Sequence, residues 1–219
     1  MNIEYSEARN LMVENQLRPN KINDTLILNL FNEIKKEEFL EDESKFFSYN
    51  DSDIDLINNR GYLNNLNIAQ LISKSEIKNN YKILHVGGLT GYVSVMLSKL
   101  CKELIVIEND MSLINELNKN IEKMNITNIK IINSNLSKGY QEESPYNLIF
   151  IDNPIEKIPN EYINQLNSNM GIIVMVEKIN DELSKAYKII KNKESMNKEY
   201  LFDVFTKYEL FSSKKDFVF

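Results

Sequence analysis

Apolar positions recur at helical spacing through the first third of the chain and then give way to short unbroken runs. Over residues 5–16, Ala8, Leu11, Met12 and Asn15 share one helical face, and Pro19 ends that segment because it restricts Arg18 and withholds a donor. Asp24 caps a second predicted helix, in which Ile27, Leu30, Phe31 and Ile34 form one stripe running into Lys35-Lys36 at the negative end of the dipole. Residues 41–61 turn polar and irregular around Tyr49-Asn50-Asp51-Ser52-Asp53, the pattern of a long functional or cap-forming loop. Ile68, Leu71 and Ile72 then mark another helix.

The runs that follow predict strand 82–86, helix 92–100, strand 103–107, helix 111–124, and strands 129–133, 146–151 and 171–176. Asp110 caps the second of these helices, and Leu113, Ile114, Leu117, Ile121 and Met124 supply its buried face. Strands alternating with helices in this way imply an α/β fold: a parallel sheet with right-handed crossovers and helices on both faces. Beyond Val176 the pattern is weaker. Residues 183–191 have a helix-like composition, whereas 200–206 and the terminal Phe217-Val218-Phe219 favour strands.

The chemistry concentrates at residues 82–92, Lys-Ile-Leu-His-Val-Gly-Gly-Leu-Thr-Gly-Tyr, where an apolar run breaks into a glycine turn before a helix. A second apolar run, Leu104-Ile105-Val106-Ile107, ends in Glu108, spaced behind the turn so that its carboxylate can accept from a ribose hydroxyl pair. Together these point to a cofactor built on adenosine, bound at the carboxyl edge of the sheet. The bland alternative is an ordinary glycine-bearing turn followed by a solvated acid. A nicotinamide dehydrogenase fits less well, because the loop reads G-G-L-T-G and not G-x-G-x-x-G.

Composition narrows the partners. Hydrophobic content of 42% and charged content of 26% over 219 residues match a globular protein, and no Pro/Gly/Ser-rich linker divides it. No apolar run approaches the roughly 18 residues that span a bilayer, and the N-terminus lacks a secretory pattern, so no membrane partner is expected. A formal charge of −6 argues against nucleic acid as the main partner. One histidine and one cysteine, Cys101, exclude a His/Cys zinc site and an internal disulfide, no carboxylate spacing reads as a calcium loop, and a reducing cytoplasm is the expected location. The abundance of Asn, Ile and Lys reads as a bias of the whole chain, without repeats.

In chain order, Met12-Val13-Glu14-Asn15-Gln16-Leu17-Arg18-Pro19, the Phe39 segment, Tyr49-Asn50-Asp51, the glycine loop, Pro145 to Asp152, Ile158-Pro159, Gln165-Leu166 and the closing Phe-Val-Phe resemble the protein-L-isoaspartate O-methyltransferase family, in its bacterial branch. The resemblance covers nearly the whole chain. It implies a class I methyltransferase (Rossmann-like) fold: a mostly parallel seven-stranded sheet with helices on both faces and an N-terminal helical extension. It also implies S-adenosylmethionine as cofactor and a protein or peptide bearing isoaspartyl residues as substrate. The last two strands would form an antiparallel edge, which recasts residues 183–191 as a strand against local propensity. One domain over 1–219 is then expected, with an N-terminal extension and loop to residue 78, the cofactor-binding core over 79–176 and the antiparallel edge over 177–219; oligomeric state is left open.

Such chemistry needs no general base, because a carboxylate is already ionised at neutral pH and the sulfonium donor is already activated; alignment and water exclusion carry it. The cofactor-binding candidates are His85, Gly87, Gly88, Gly91, Glu108 and Asn135. Of these, His85 replaces an acid of the family pattern, Asn135 replaces an Asp beside the adenine, and Leu89 stands where a glycine is expected, adding a side chain and a Cβ at a position where positive φ is needed. His85 is equally well read as a strand-end histidine satisfied locally. The hydroxyl-bearing S-Q-P-like acceptor segment is replaced by Arg60-Gly61-Tyr62-Leu63-Asn64-Asn65-Leu66-Asn67. Asn64, Asn65 and Asp152 are the catalytic candidates, with Asp152 either a polar wall of the transfer site or a strand terminator before Pro154. Arg60 is either a partner for a carboxylate or simply solvated. Two functions follow: isoaspartyl-type methyl transfer, or a catalytically inactive relative acting as a binding or scaffolding module.

Overall fold

The computed structural model describes residues 4–193 and 195–211; the strand expected at Phe217-Val218-Phe219 lies outside them. The first helix, α1 (Tyr5–Met12), does not stop short of Pro19. It continues through a π-helical turn at Val13–Leu17 into a 3₁₀ turn at Arg18–Asn20, and Lys21 closes it with φ +66°. Proline is tolerated there because the start of a tight turn leaves its missing N–H without a partner to lose. Helix α2 (Thr25–Glu33) is capped by Asp24, whose carboxylate accepts from the N–H groups of Leu26 at 2.8 Å and Ile27 at 3.4 Å. Asp24→Ala is expected to cost about 1 kcal/mol, read as a lowered urea midpoint with an unchanged slope.

The polar stretch expected to be a loop contains a 3₁₀ turn at Lys45–Phe47 and a hairpin, β1 (Ile54–Ile57) with β2 (Arg60–Tyr62). Asn58 and Asn59 join the two strands with φ +51° and +58°, the doubly left-handed turn that asparagine tolerates and that matches strand twist. Helix α3 (Asn65–Ser75) follows, and then the core: β3 (Lys82–Val86), α4 (Tyr92–Ser98), β4 (Glu103–Glu108), α5 (Met111–Lys123), β5 (Ile129–Asn133) and β6 (Leu148–Ile155). A short helix that sequence reading missed, α6 (Asn160–Gln165), leads to β7 (Gly171–Lys178), β8 (Leu183–Lys191) and β9 (Met196–Phe205).

The seven-stranded sheet runs β5-β4-β3-β6-β7-β8-β9. Its first five strands are parallel, and β8 and β9 turn antiparallel. Residues 183–191 are a strand despite their composition, because they pair along their whole length with β7, from Gly171↔Lys191 to Lys178↔Ser184; tertiary pairing overrides propensity. Pro154 does not terminate β6 either. The strand continues to Ile155 with its register against β7 broken after Ile151, where a missing donor is tolerated.

Alternate strand residues feed two cores. One face packs Ile83, Val106, Leu148 and Val174 against α1 to α5; the other packs Leu84, Ile105, Ile149 and Ile173 against Tyr162 of α6 and the turns around Leu136. No described helix is long and apolar enough to cross a membrane. Strand order reverses beside β3, so the crevice beyond the carboxyl ends of β3 and β6 is where this topology places a ligand.

Candidate donor site at the ends of β3 and β4

The parallel register of β3 and β4, with Val86 opposite Ile107, brings Gly87 level with the end of β4, and the Gly87 N–H donates to Ile107 O at 2.9 Å. The turn then passes through three left-handed residues, Gly87 at φ +82°, Leu89 at +51° and Gly91 at +104°. Gly88 and Gly91 allow close packing, since a Cβ on Gly88 would lie 2.4 Å from Val106 Cγ1 and one on Gly91 2.6 Å from Leu117 Cδ1. Leu89 adopts the conformation expected of the glycine it replaces, at a cost of roughly 1–2 kcal/mol. Its side chain is buried in the core that includes α4 and α5.

Glu108 closes β4 with no exposed surface. Arg60 Nη1 donates to its Oε1 at 2.8 Å and Nη2 to its Oε2 at 2.6 Å, a bidentate pair. The backbone N–H of Leu89 adds a bond to Oε2, and those of Asn109 and Asp110 add bonds to Oε1. Burial works to raise the Glu108 carboxyl, and the Arg60 guanidinium with the two neighbouring N–H groups more than offsets it, so the group ionises below the usual carboxylate range. Leu210 completes the closure. A Cβ on Gly87 would sit 2.5 Å from Leu210 Cδ1 and 3.1 Å from Arg60 Nη2, so these two side chains occupy the space over the turn.

His85 and Asp152 lie beside this point and hold each other. Nε2 of His85 faces Asp152 Oδ1 at 3.3 Å, Nδ1 meets the Ser94 hydroxyl at 2.9 Å, and both residues are buried. Asp152 is therefore no terminator; it carries a carboxylate on β6, one strand away from the position where the family pattern has its acid. Asn135 lies on an exposed turn just past the end of β5, where Ser134 N donates to Glu108 O at 3.1 Å, and its side-chain oxygen accepts from the N–H and hydroxyl of Ser137.

The two acceptor-site candidates separate. Asn64 is the N-cap of α3, its oxygen accepting from Asn67 N at 2.9 Å, and it borders an open hollow of about 660 Å³ that Asp51, Asp53, Asp55, Glu182 and Lys207 also line. Asn65 is fully buried with both ends of its amide engaged: Lys36 Nζ donates to its oxygen at 3.0 Å, and its nitrogen donates to Ser48 O at 3.0 Å. Lys36 itself is enclosed between the rings of Tyr62 and Tyr92.

Sequence reading missed three residues that shape the cleft. Asn153 clamps the Gly61 backbone, donating to its carbonyl at 3.0 Å and accepting from its N–H at 3.4 Å. Tyr62 ties the hairpin to the glycine loop through a relay in which Tyr92 N–H donates to the Tyr62 hydroxyl, that hydroxyl to Thr90 Oγ1, and Thr90 to Phe39 O. Neither signal was visible in the sequence, and nothing in Glu209-Leu210-Phe211 announces that Leu210 reaches Gly87.

The profile of the protein-L-isoaspartate(D-aspartate) O-methyltransferase family matches residues 7–205. Protein-L-isoaspartate O-methyltransferase 1 of Syntrophobacter fumaroxidans is 24% identical over 174 residues, 80% of this chain and 81% of the relative. The corresponding protein 2 of Shewanella sediminis is 25% identical over 170 residues, 78% of this chain and 70% of the relative. A solved protein-L-isoaspartate O-methyltransferase superposes with a TM-score of 0.77 at 19% identity over 93% of this chain, which shows the fold; the chain spans 65% of that protein's length. With its sheet order, antiparallel edge and N-terminal helices all in place, the chain belongs to the protein-L-isoaspartate(D-aspartate) O-methyltransferase family of S-adenosylmethionine-dependent methyltransferases.

Proposed function

We propose that the chain is a carboxyl methyltransferase of the isoaspartyl type, acting on damaged proteins or peptides in the cytoplasm, with its donor cleft closed in the state described. The observation that supports this is the carboxylate of Glu108, which presents both oxygens side by side at the glycine turn. A ribose diol makes that same demand on an acceptor pair. The frame suits the adenosyl end of S-adenosylmethionine, and the space within it does not, since Arg60 holds both oxygens and Leu210 covers Gly87. No catalytic step is assigned to the closed arrangement.

The test is transfer of tritium from methyl-labelled S-adenosylmethionine to an isoaspartyl peptide, beside the same peptide with a normal aspartyl linkage. Label in the isoaspartyl peptide alone is the expected result. Binding of the donor without label in either peptide would assign a different acceptor.

A second reading, an inactive family member that binds protein across its N-terminal helices, is favoured by the filled cleft and by the acid-lined hollow beside Asn64, which repels a carboxylate. Absence of any donor binding at millimolar concentration by calorimetry would select it.

A further inference from the structure

The two side chains that close the donor cleft come from the hairpin and from the segment after β9, and these segments are fastened to one another. Arg60 opens β2 of the hairpin; Leu210 belongs to the strap of residues 206–211 that follows β9. Glu209 N donates to Asn59 O at 3.2 Å, the Asn59 side-chain amide donates to Lys207 O at 2.9 Å, and Asp55 accepts from Lys207 Nζ at 2.8 Å and from the Tyr208 hydroxyl at 2.9 Å. The far end of the strap is pinned to β6, where Leu210 N donates to Pro154 O at 2.7 Å and Phe211 bridges Ile155.

We propose that hairpin and strap form a single latch, and that an adenosyl ligand binds by displacing it, its ribose competing with the Arg60 guanidinium for Glu108 while its entry over Gly87 expels Leu210. This rests on the donor reading above. The competition follows from stoichiometry at one group: both oxygens of Glu108 already take two bonds or more, so the carboxylate cannot serve a diol while it keeps Arg60. The fit at Gly87 is equally exclusive, because a ligand approaching that backbone must cross the volume of the Leu210 side chain.

The latch is also incompletely bonded, as a part that must let go should be. Arg60 Nε and Glu209 Oε1 are buried without a hydrogen-bond partner, and the Lys207–Asp55 pair that fastens strap to hairpin has side chains 63% and 68% exposed. Exposed pairs of this kind hold little. The Asn153 clamp on Gly61 and the Tyr62 relay are buried and tied to the core, which makes them the pivot about which Arg60 swings. The strap, although Thr206, Tyr208 and Leu210 are buried and Glu209 also pairs with Lys178 through its other oxygen, is the segment that must move to clear Gly87.

Calorimetric titration of S-adenosylmethionine into the wild-type chain, Leu210→Ala and Arg60→Gln provides the test, with amide hydrogen exchange of residues 207–211 followed with and without ligand. Leu210→Ala keeps the buried ion pair, so it reports even where Arg60→Gln fails to fold. The expected result is an affinity at least tenfold higher for Leu210→Ala than for wild type, and faster exchange at Glu209 and Leu210 when wild type is saturated. Equal affinities with unchanged exchange would overturn the latch and leave the donor reading standing. No binding by any of the three would overturn the donor reading and the latch with it.

Discussion

Glu108→Ala is expected to lower the folding free energy by about 3–5 kcal/mol, because it strands the Arg60 guanidinium in a site with 7% side-chain exposure. The backbone N–H groups of Leu89, Asn109 and Asp110 lose an acceptor in the same substitution. The surface pair of Lys207 with Asp55 gives the contrast: Lys207→Ala there should change stability by less than about 1 kcal/mol. Urea unfolding of the two single variants measures the difference. If the large effect comes from an unpaired buried charge and not from lost attraction, the double variant Arg60→Met, Glu108→Leu recovers most of it, since a desolvated pair returns little more than an apolar pair of similar volume. A double variant as unstable as Glu108→Ala would mean that the three backbone donors, and not the guanidinium, depend on the carboxylate.

The same group sets an acid limit. A carboxyl held below its ordinary range when folded contributes stability that is complete above the unfolded value and is lost as pH falls through the folded one. Wild type should therefore weaken in that acid window more steeply than the double variant, which has neither charge.

What the sequence disclosed divides along the range of the interactions. Strands β3 and β4 were legible almost to the residue because parallel strands covered on both faces read as largely unbroken apolar runs, and the half-exposed edge strand β5 by the β-branched isoleucines on either side of Lys130. Residues 183–191 were not, since their strand character comes from the partner strand and only the family resemblance pointed to it. The hairpin escaped notice because two strands of four and three residues carry little periodicity, although Asn58-Asn59 is a turn signal of the right kind.

At the site, spacing alone placed Glu108 behind the glycine turn. What it could not supply is the partner: Arg60 lies 48 positions away in sequence, and its ambiguity between pairing and solvation was resolved by the fold. The concern over Leu89 was likewise displaced, because its side chain joins the helical core while the intruder over the turn is Leu210, from the other core. Asn65 shows the opposite limit, a polar residue in a substrate-like position that the fold commits to holding Lys36.

Lys36 gives the second large effect, as a pH dependence that its replacement removes. Its ammonium is buried without surface exposure, bonded to Asn65 Oδ1 at 3.0 Å and Leu63 O at 3.4 Å, and flanked by two tyrosine rings. None of these partners is an anion in contact. Burial consequently lowers its pKa to about 7, against a smaller opposing pull from Asp53. The unfolded chain keeps the ordinary value of 10.5. Between those values the unfolded state binds more protons than the folded one, so stability rises with pH, and below the lower value the full penalty is in force. At about 1.4 kcal/mol per pH unit, the rise from pH ~7 to pH ~9 is on the order of 2–3 kcal/mol.

Lys36→Met, of similar length and without charge, should lack that rise. Cys101 and the buried tyrosines, whose pKa values burial raises, act in the opposite sense at higher pH, and they cancel in the comparison because both chains carry them. Thermal or urea unfolding of the two proteins across this range decides the matter: the gap in stability between Lys36→Met and wild type should narrow steadily with rising pH, and a constant gap would mean that Lys36 stays protonated within the core.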